Sequence, residues 1–197
     1  IFSFVETDFE TMKRIAINEY IKHMGVCKFA MQRSKKMLLK EDTLSYYKKN
    51  IQNFVKNTIN ADMKFNQRKF LDRIPEFGRI LDFGCGSGRD VKVFLDLGYE
   101  VEAVDGCREL CEMAAAYVGI PVRQMDFLEL DARERYDGIW ACASILHLPY
   151  EEIKAVMKKM AAALKENGVV YVSFKYGEFE GWRNGRYFTD MTEDRVR

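Results

Sequence analysis

The sequence lacks the features typical of membrane, secreted and zinc-stabilised proteins. No run of about 18 uncharged apolar residues occurs, which argues against a membrane-spanning helix. The N-terminus, IFSFVETDFE, has neither a basic start nor a clean apolar stretch, so it does not resemble a signal peptide. There are only two histidines, His23 and His147, and none of the five cysteines forms a C-x-x-C pair, which disfavours a structural zinc site. We therefore expect reduced thiols, no bound metal and a cytoplasmic location.

The charge is nearly balanced overall, at +1, but it is unevenly distributed along the chain. Residues 1–80 carry 16 Lys and Arg against 9 Asp and Glu, whereas residues 81–197 carry 15 against 21. A basic arm is typical of nucleic-acid binding, and RNA is therefore one candidate partner. Because the basic residues are interleaved with apolar ones, the pattern also fits a basic helical segment that packs on an acidic body.

Helical periodicity dominates the chain up to Pro75. A first helix is predicted from Thr7, which lies at capping-box spacing from Glu10, to Gly25. Two further helices are predicted over residues 43–60 and, approximately, 62–73. We assign residues 1–40 to an N-terminal helical extension and residues 41–197 to the main domain.

From Arg79 onward the pattern changes to alternating strands and helices. Helices are predicted over residues 87–97 and 107–118, and from Pro149 to Asn167-Gly168. Because strands joined by helices pair in parallel, we predict an α/β fold with a mostly parallel, twisted sheet and helices on both faces. Ligands of such sheets bind beyond the carboxyl ends of the strands. The five predicted strands are RILDF, YEVEAVD, PVRQMDF, YDGIWACAS and VVYVSF.

The segment ILDFGCGSGRD, residues 80–90, places three glycines directly after the first of these strands. A P-loop is excluded because Gly88 is followed by Arg89-Asp90 rather than by Lys-Ser or Lys-Thr. The dinucleotide pattern G-x-G-x-x-G is also absent, since Arg89 stands where its last glycine would be. Asp82, at the end of the strand, would repel a pyrophosphate but attract a cation. These residues favour a nucleoside with a positively charged tail, such as S-adenosylmethionine (SAM).

The segments LDFGCGSG, MDF and ACASILHLP, in this order at successive strand ends, resemble the class I SAM-dependent methyltransferases. GCGSGRD, GIWACASILHLP and VSFKYGE…GRYFTD are most similar to the small tellurite-resistance type. The resemblance covers about residues 43–197 and implies a Rossmann-like fold and a SAM cofactor. The family usually continues after FTDMTED with a helix and two more strands, so we expect these strands to be missing. Either the sequence is a fragment or the sheet is incomplete, with an unpaired edge.

The resemblance also implies a cofactor site along the strand ends. Asp105 would bind the two ribose hydroxyls, and Asp126 would accept a hydrogen bond from the adenine amine, with Phe127 or Leu128 beside the ring. The competing interpretation is that the aspartates cap turns or helices and that Phe127 belongs to the core. The predicted cofactor-binding residues are Asp82, Gly84, Cys85, Gly86, Ser87, Arg89, Asp105, Gly106, Asp126, Phe127 and Ala143.

Two residues are candidates for a catalytic role near the transferred methyl group. His147 follows the fourth strand, where it would either accept a proton from the substrate or cap the loop. Tyr46 lies on the helix that, by resemblance, covers the cofactor, and its hydroxyl is expected to be freer than that of Tyr47. Cys142 lies within the apolar fourth strand and is expected to behave as a small hydrophobic residue rather than as a nucleophile.

The cations Lys175, Arg183 and Arg186 lie beside aromatic residues after the fifth strand, where they fit either an anion site or a solvated loop. The fourth strand lacks the Asn/Asp-Pro-Pro-Tyr/Phe signature of DNA N-methylation. The hypothesis is therefore direct, in-line methyl transfer from SAM to an acceptor, preferably a small molecule. The alternatives are a tRNA or protein acceptor and a non-catalytic binding module.

Overall fold

A computed structural model of the chain describes residues 2–4 and 43–196. Within these residues the strands are β1 (Phe2–Phe4), β2 (Arg79–Phe83), β3 (Glu100–Asp105), β4 (Val122–Gln124), β5 (Tyr136–Ala141), β6 (Leu164–Lys175), β7 (Glu180–Arg183) and β8 (Arg186–Thr189). The main sheet has six strands in the order β1-β6-β5-β2-β3-β4, and β7 and β8 form a separate antiparallel pair. The helices are α1 (residues 43–58), α2 (Lys64–Leu71), α3 (Arg89–Asp96), α4 (Arg108–Val118), α5 (Tyr150–Ala163) and α6 (Glu193–Val196).

The predicted parallel α/β sheet is confirmed. β2 is paired in parallel with β3 on one side and with β5 on the other, and β6 is parallel to β5. Both faces of the sheet are covered: Ile80 packs with Trp140 in one core cluster, whereas Leu81 and Phe83 belong to another. This explains why β2 has a continuous apolar run rather than an alternating pattern. No helix in the described part of the chain is long and apolar enough to span a bilayer.

The buried aromatic cluster under α2 fixes one face of the sheet. The Trp140 ring stacks on Tyr171 of the neighbouring strand, with ring centroids 3.8 Å apart and planes inclined by 13°. Phe70 of α2 and Phe94 of α3 contact the same indole edge to face. These contacts hold α2 and α3 against the sheet, directly beside the end of β2.

The end of α5 differs from the prediction. The helix ends at Ala163, and the Asn167-Gly168 turn lies within β6 instead. The backbone N–H groups of Glu134 and Arg135 donate to the carbonyls of Ala162 and Ala163, which satisfies the last turn of the helix at that point. Helix termination is therefore decided by a contact with the preceding loop, a feature that local sequence does not encode.

The expectation of an unpaired sheet edge is wrong for β6. β1 pairs with it in antiparallel orientation, with Phe2 opposite Lys175 and Phe4 opposite Ser173. Residues from the start of the chain thus cover this edge of the sheet. The helix predicted over residues 7–25, and the rest of the proposed helical extension beyond residue 4, lie outside the described residues.

Candidate functional site

A cavity of about 380 Å³ lies beyond the carboxyl ends of β2, β3 and β5, beneath α1. This volume falls within the range of roughly 300–1,000 Å³ that is typical of small-molecule sites. All eleven residues predicted to bind the cofactor, from Asp82 to Ala143, line it. Of the two catalytic candidates, His147 lines the cavity, whereas Tyr46 does not and its neighbour Tyr47 does.

The glycine loop after β2 follows a path that requires glycine. Gly84, Gly86 and Gly88 have φ angles of 94°, 55° and 81°, in the left-handed region. A Cβ atom on Gly84 would lie 2.3 Å from Cβ of Ser144, so a side chain at this position would collide with the loop after β5. The loop is fixed to β3 because the N–H groups of Gly84 and Cys85 both donate to the carbonyl of Val104.

Asp105 joins the glycine loop to the end of β3. Its Oδ2 accepts the N–H of Gly86 at 2.9 Å, and its Oδ1 accepts the N–H of Cys107 at 2.8 Å. Burial raises the pKa of this carboxyl group, and the same backbone donors partly oppose that effect. Each carboxylate oxygen has more than one acceptor position, so the group can bind hydroxyls in the cavity while it holds both loops.

Asp82 is a buried carboxyl group whose Oδ2 has no hydrogen-bond partner among the described residues. Burial raises its pKa well above the ordinary range, and the negative charge of Asp90 adds to the effect. A buried acceptor without a donor is unfavourable in the free protein. A cation in the cavity would supply the missing donor and favour the ionised form of Asp82.

A buried polar network behind the cavity wall was missed by the sequence analysis. The Asp90 carboxylate accepts from Gln67 Nε2 at 2.6 Å and from Trp140 Nε1 at 2.9 Å. It also forms a two-point ion pair with Arg89, whose Nε and Nη2 lie 3.0 and 2.6 Å from its oxygens. This arrangement holds the Arg89 guanidinium at the cavity wall, beside the Cys142 sulfur. The only signal in the sequence was a tryptophan in an apolar strand, whose N–H needs an acceptor when buried.

The turn after β4 contains Asp126 and Phe127. Asp126 Oδ1 accepts the N–H of Leu128 at 2.8 Å, and the Asp126 N–H donates to Glu129, which completes a capping box. The Phe127 ring contacts Phe83 with centroids 4.8 Å apart. Both residues therefore have a structural role and also line the cavity. Their contact with an adenine ring remains a prediction.

The loop after β5 is held in a strained conformation at the cavity. Ala143 has a φ angle of 50°, which is unusual for a residue with a side chain. Its N–H donates to Ser173 Oγ at 2.8 Å, and the Ser144 hydroxyl donates to the carbonyl of Phe83 at 2.6 Å. These two bonds tie the loop to β6 and β2 and maintain the strained residue at the cavity wall.

His147 has both ring nitrogens engaged. Nδ1 lies 2.7 Å from the carbonyl oxygen of Tyr187, which can only accept, so Nδ1 carries the proton. Nε2 is therefore the acceptor and receives the hydroxyl proton of Tyr47 at 2.7 Å. Burial lowers the pKa of His147 to about 4, and the charges of Arg186 and Lys175 act in the same direction. The side chain is thus a neutral imidazole at physiological pH.

The difference between Tyr46 and Tyr47 follows from the orientation of α1. The apolar face of this helix covers the cavity, so Tyr47 on that face brings its hydroxyl to the cavity wall. Tyr46 points away and its ring packs against the guanidinium of Arg186, 4.5 Å from the ring centroid. The hydroxyl at the cavity is therefore that of Tyr47 rather than that of Tyr46, because the apolar face of α1 lines the cavity.

The low pKa of His147 predicts a specific acid sensitivity. Because the folded protein binds the proton less readily than the unfolded chain, His147 contributes stability above pH 6.5 that is lost as the pH falls toward 4. We expect a loss of about 2 kcal/mol over this interval that is attributable to His147. The measurement is the free energy of urea unfolding against pH for the wild type and His147→Gln. Parallel pH profiles for the two proteins would contradict the prediction.

Comparison with known proteins places this site in context. Residues 80–168 match a family model described as a methyltransferase domain. A ubiquinone biosynthesis O-methyltransferase of Rhodopseudomonas palustris is 31% identical over 102 residues, which cover 48% of this chain and 39% of that protein. The chain therefore spans about two fifths of the length of this curated relative.

Two solved structures share the fold. The 1,6-didemethyltoxoflavin-N1-methyltransferase of Burkholderia thailandensis, solved with its substrate and S-adenosylhomocysteine, superposes with a TM-score of 0.64 at 19% identity and covers 98% of this chain and 80% of its own. A TehB-like SAM-dependent methyltransferase of Corynebacterium glutamicum gives a TM-score of 0.57 at 21% identity, covering 72% and 77% of the two chains. At these identities the similarity concerns the fold.

Proposed function

We propose that this chain, which belongs to the class I SAM-dependent methyltransferase family, transfers the methyl group of SAM to a small-molecule acceptor. The observation that carries the proposal is the cavity itself. It combines a buried carboxyl group without a donor, Asp82, with the loop-anchoring carboxylate of Asp105 and the guanidinium of Arg89.

The chemistry of these side chains fits SAM. The ammonium group of its methionine end would satisfy Asp82 Oδ2, and the carboxylate of the same end would face Arg89. The ribose hydroxyls suit the Asp105 carboxylate. SAM supplies a methyl group activated by a sulfonium centre. The task of the protein is consequently to bind, orient and exclude water rather than to provide a strong nucleophile.

The position of α1 over the cavity favours a small acceptor. Leu44, Tyr47 and Phe54 of α1 form its cover, and His147 and Leu148 line it on the side of the loop after β5. An acceptor base or side chain belonging to a macromolecule would have to enter beneath α1. A free small molecule has no such constraint, which makes it preferable to RNA or protein.

The proposal is tested by following the label from tritiated SAM. The purified chain is incubated with labelled SAM and a cell extract, and the products are separated into metabolites, RNA and protein. We expect label in the metabolite fraction, and none above background with Asp105→Ala. Label that accumulates in the RNA or protein fraction would instead identify a macromolecular acceptor. SAM binding without transfer to any fraction would favour a non-catalytic binding module.

A further inference from the structure

The side of the cavity formed by Tyr47 and His147 is flanked by positive charge. We use the term cationic corner for Lys175 and Arg186 together with the rings of Tyr46, Tyr47 and Phe188. The sequence allowed two interpretations of the basic residues here, an anion site or a solvated loop. The charge of Arg183 is already paired, because its Nη2 forms a 2.7 Å ion pair with Asp190. Neither Lys175 nor Arg186 forms an ion pair with a carboxylate of the described residues.

Arg186 is held in place by aromatic rings rather than by a counter-charge. Its guanidinium carbon lies 4.5 Å from the Tyr46 ring centroid and 5.1 Å from that of Phe188. Such stacking fixes the plane of the group and leaves the N–H donors at its edge for other partners. Nη1 donates a long hydrogen bond of 3.4 Å to the Tyr47 hydroxyl, and Nε is buried without a partner within the described part of the chain.

A buried cation with an unsatisfied donor favours an anionic partner. A guanidinium carries five N–H donors in a planar fork that matches the geometry of carboxylate and phosphate groups. Leaving such a donor buried and unpaired is unfavourable. Unlike an arginine in a solvated loop, Arg186 is partly buried and touches Tyr47, a residue of the cavity wall.

The charge of the cavity is divided between its two sides. The carboxyl groups of Asp82 and Asp105 line the part that fits SAM. On the other side, His147 lines the cavity, and the positive charges of Arg186 and Lys175 both help to lower its pKa. Lys175 also lies over the Phe188 ring, with Nζ 4.4 Å from the centroid, so both cations contact the same ring.

We propose that the methyl acceptor is a small organic anion whose negative group is bound by the Arg186 guanidinium beside Tyr47. Lys175 adds positive charge to the same corner and contributes to attraction of the acceptor. This inference rests on the proposed methyl transfer and specifies the substrate class of that site. The hydroxyl proton of Tyr47 is donated to His147, so Tyr47 cannot also donate to the anion. In the proposal the donors come from Arg186, which contacts Tyr47 of the cavity wall without lining the cavity itself.

The test compares acceptor-like molecules that differ only in charge. Calorimetry first establishes that the wild-type chain binds S-adenosylhomocysteine. The saturated protein is then titrated with benzoate, nicotinate and indole-3-acetate, and with the corresponding carboxamides. We expect at least one carboxylate to bind about tenfold or more tightly than its carboxamide, and Arg186→Gln to abolish this preference. Inorganic phosphate, titrated separately, shows whether a bare anion suffices.

Two further variants separate recognition of the anion from other effects. Arg186→Lys keeps the charge but loses the planar fork, and we expect it to retain part of the preference. Arg123→Gln removes an exposed arginine from β4, at the opposite edge of the sheet, and should leave the preference unchanged. If Arg186 only positions Tyr47, its replacement would weaken carboxylate and carboxamide binding equally.

The possible failures are distinguishable. If the wild-type protein binds neither SAM nor S-adenosylhomocysteine, the proposed function itself fails. If it binds the cofactor but no carboxylate binds more tightly than its carboxamide, the inference of an anionic acceptor is overturned while methyl transfer stands. An unchanged preference in Arg186→Gln would likewise overturn the role of Arg186.

Discussion

Replacement of Asp105 by alanine is expected to weaken SAM binding by about 100-fold, the loss of two charge-assisted hydrogen bonds of ~1.5 kcal/mol each. The carboxylate is the proposed ligand of both ribose hydroxyls. It also holds the N–H groups of Gly86 and Cys107, so its removal frees the glycine loop as well. Calorimetric titration of SAM into the two proteins measures the effect.

A conservative variant and a surface control sharpen this experiment. Asp105→Asn keeps the size of the side chain, but its NH₂ group must face one of the two backbone donors or the ribose, so we expect a comparable loss. Asp96→Ala removes an exposed carboxylate from the end of α3 and should bind SAM like the wild type. Affinity within about threefold of wild type in Asp105→Ala would exclude the proposed ribose contact.

Replacement of Asp82 by asparagine is expected to change stability and binding in opposite directions. Burial and the charge of Asp90 raise the pKa of Asp82, so the ionised form disfavours folding near neutral pH. Asparagine removes this charge, and we expect the ligand-free variant to be more stable than wild type by about 1 kcal/mol at pH 7. SAM binding should weaken by about 30-fold or more, because the ammonium loses its anionic partner.

The sign of the pH dependence provides the check on Asp82. Because its folded-state pKa is raised, the stability gain of Asp82→Asn should be larger at neutral pH than in acid. It should vanish as the pH falls below the ordinary pKa of an aspartate, where the wild-type carboxyl is protonated in both states. Urea unfolding at several pH values measures this gain. A variant that is less stable than wild type at pH 7 would show that Asp82 does not destabilise the free protein.

Asp90→Asn is the matched comparison because Asp90 lies in the same buried region with the opposite environment. Its carboxylate accepts from Gln67, Trp140 and two nitrogens of Arg89. We expect the asparagine variant to be destabilised at pH 7, since its NH₂ group would face donors and Arg89 would lose its counter-charge. The difference in stability between the two asparagine variants distinguishes a carboxyl group that serves ligand binding from one that stabilises the fold.

Local sequence determined the elements that carry the cofactor site. The strand RILDF, the glycine loop and the helix over residues 108–118 follow from apolar runs, left-handed glycines and a helix-ending Gly119, which are properties of a few adjacent residues. Because the carboxyl ends of parallel strands converge, these elements bring to one cavity all eleven cofactor-binding residues that the glycine loop and the family resemblance implied.

Tertiary structure alone decided the side of the cavity that we propose for the acceptor and the polar network around Asp90. Tyr47 and His147 are 100 positions apart, Arg186 and Tyr47 are 139 apart, and the Trp140 donor lies 50 positions from Asp90. The pairing of β1 with β6 likewise joins residues that are distant in the sequence. The end of α5 depends on hydrogen bonds from the loop that precedes β5. A hydrogen bond between distant residues leaves no periodic trace in either segment, because each segment can form its helix or strand without the other. The sequence therefore predicts the proposed cofactor site, and the packing of α1 and β8 decides which residues flank the proposed acceptor site.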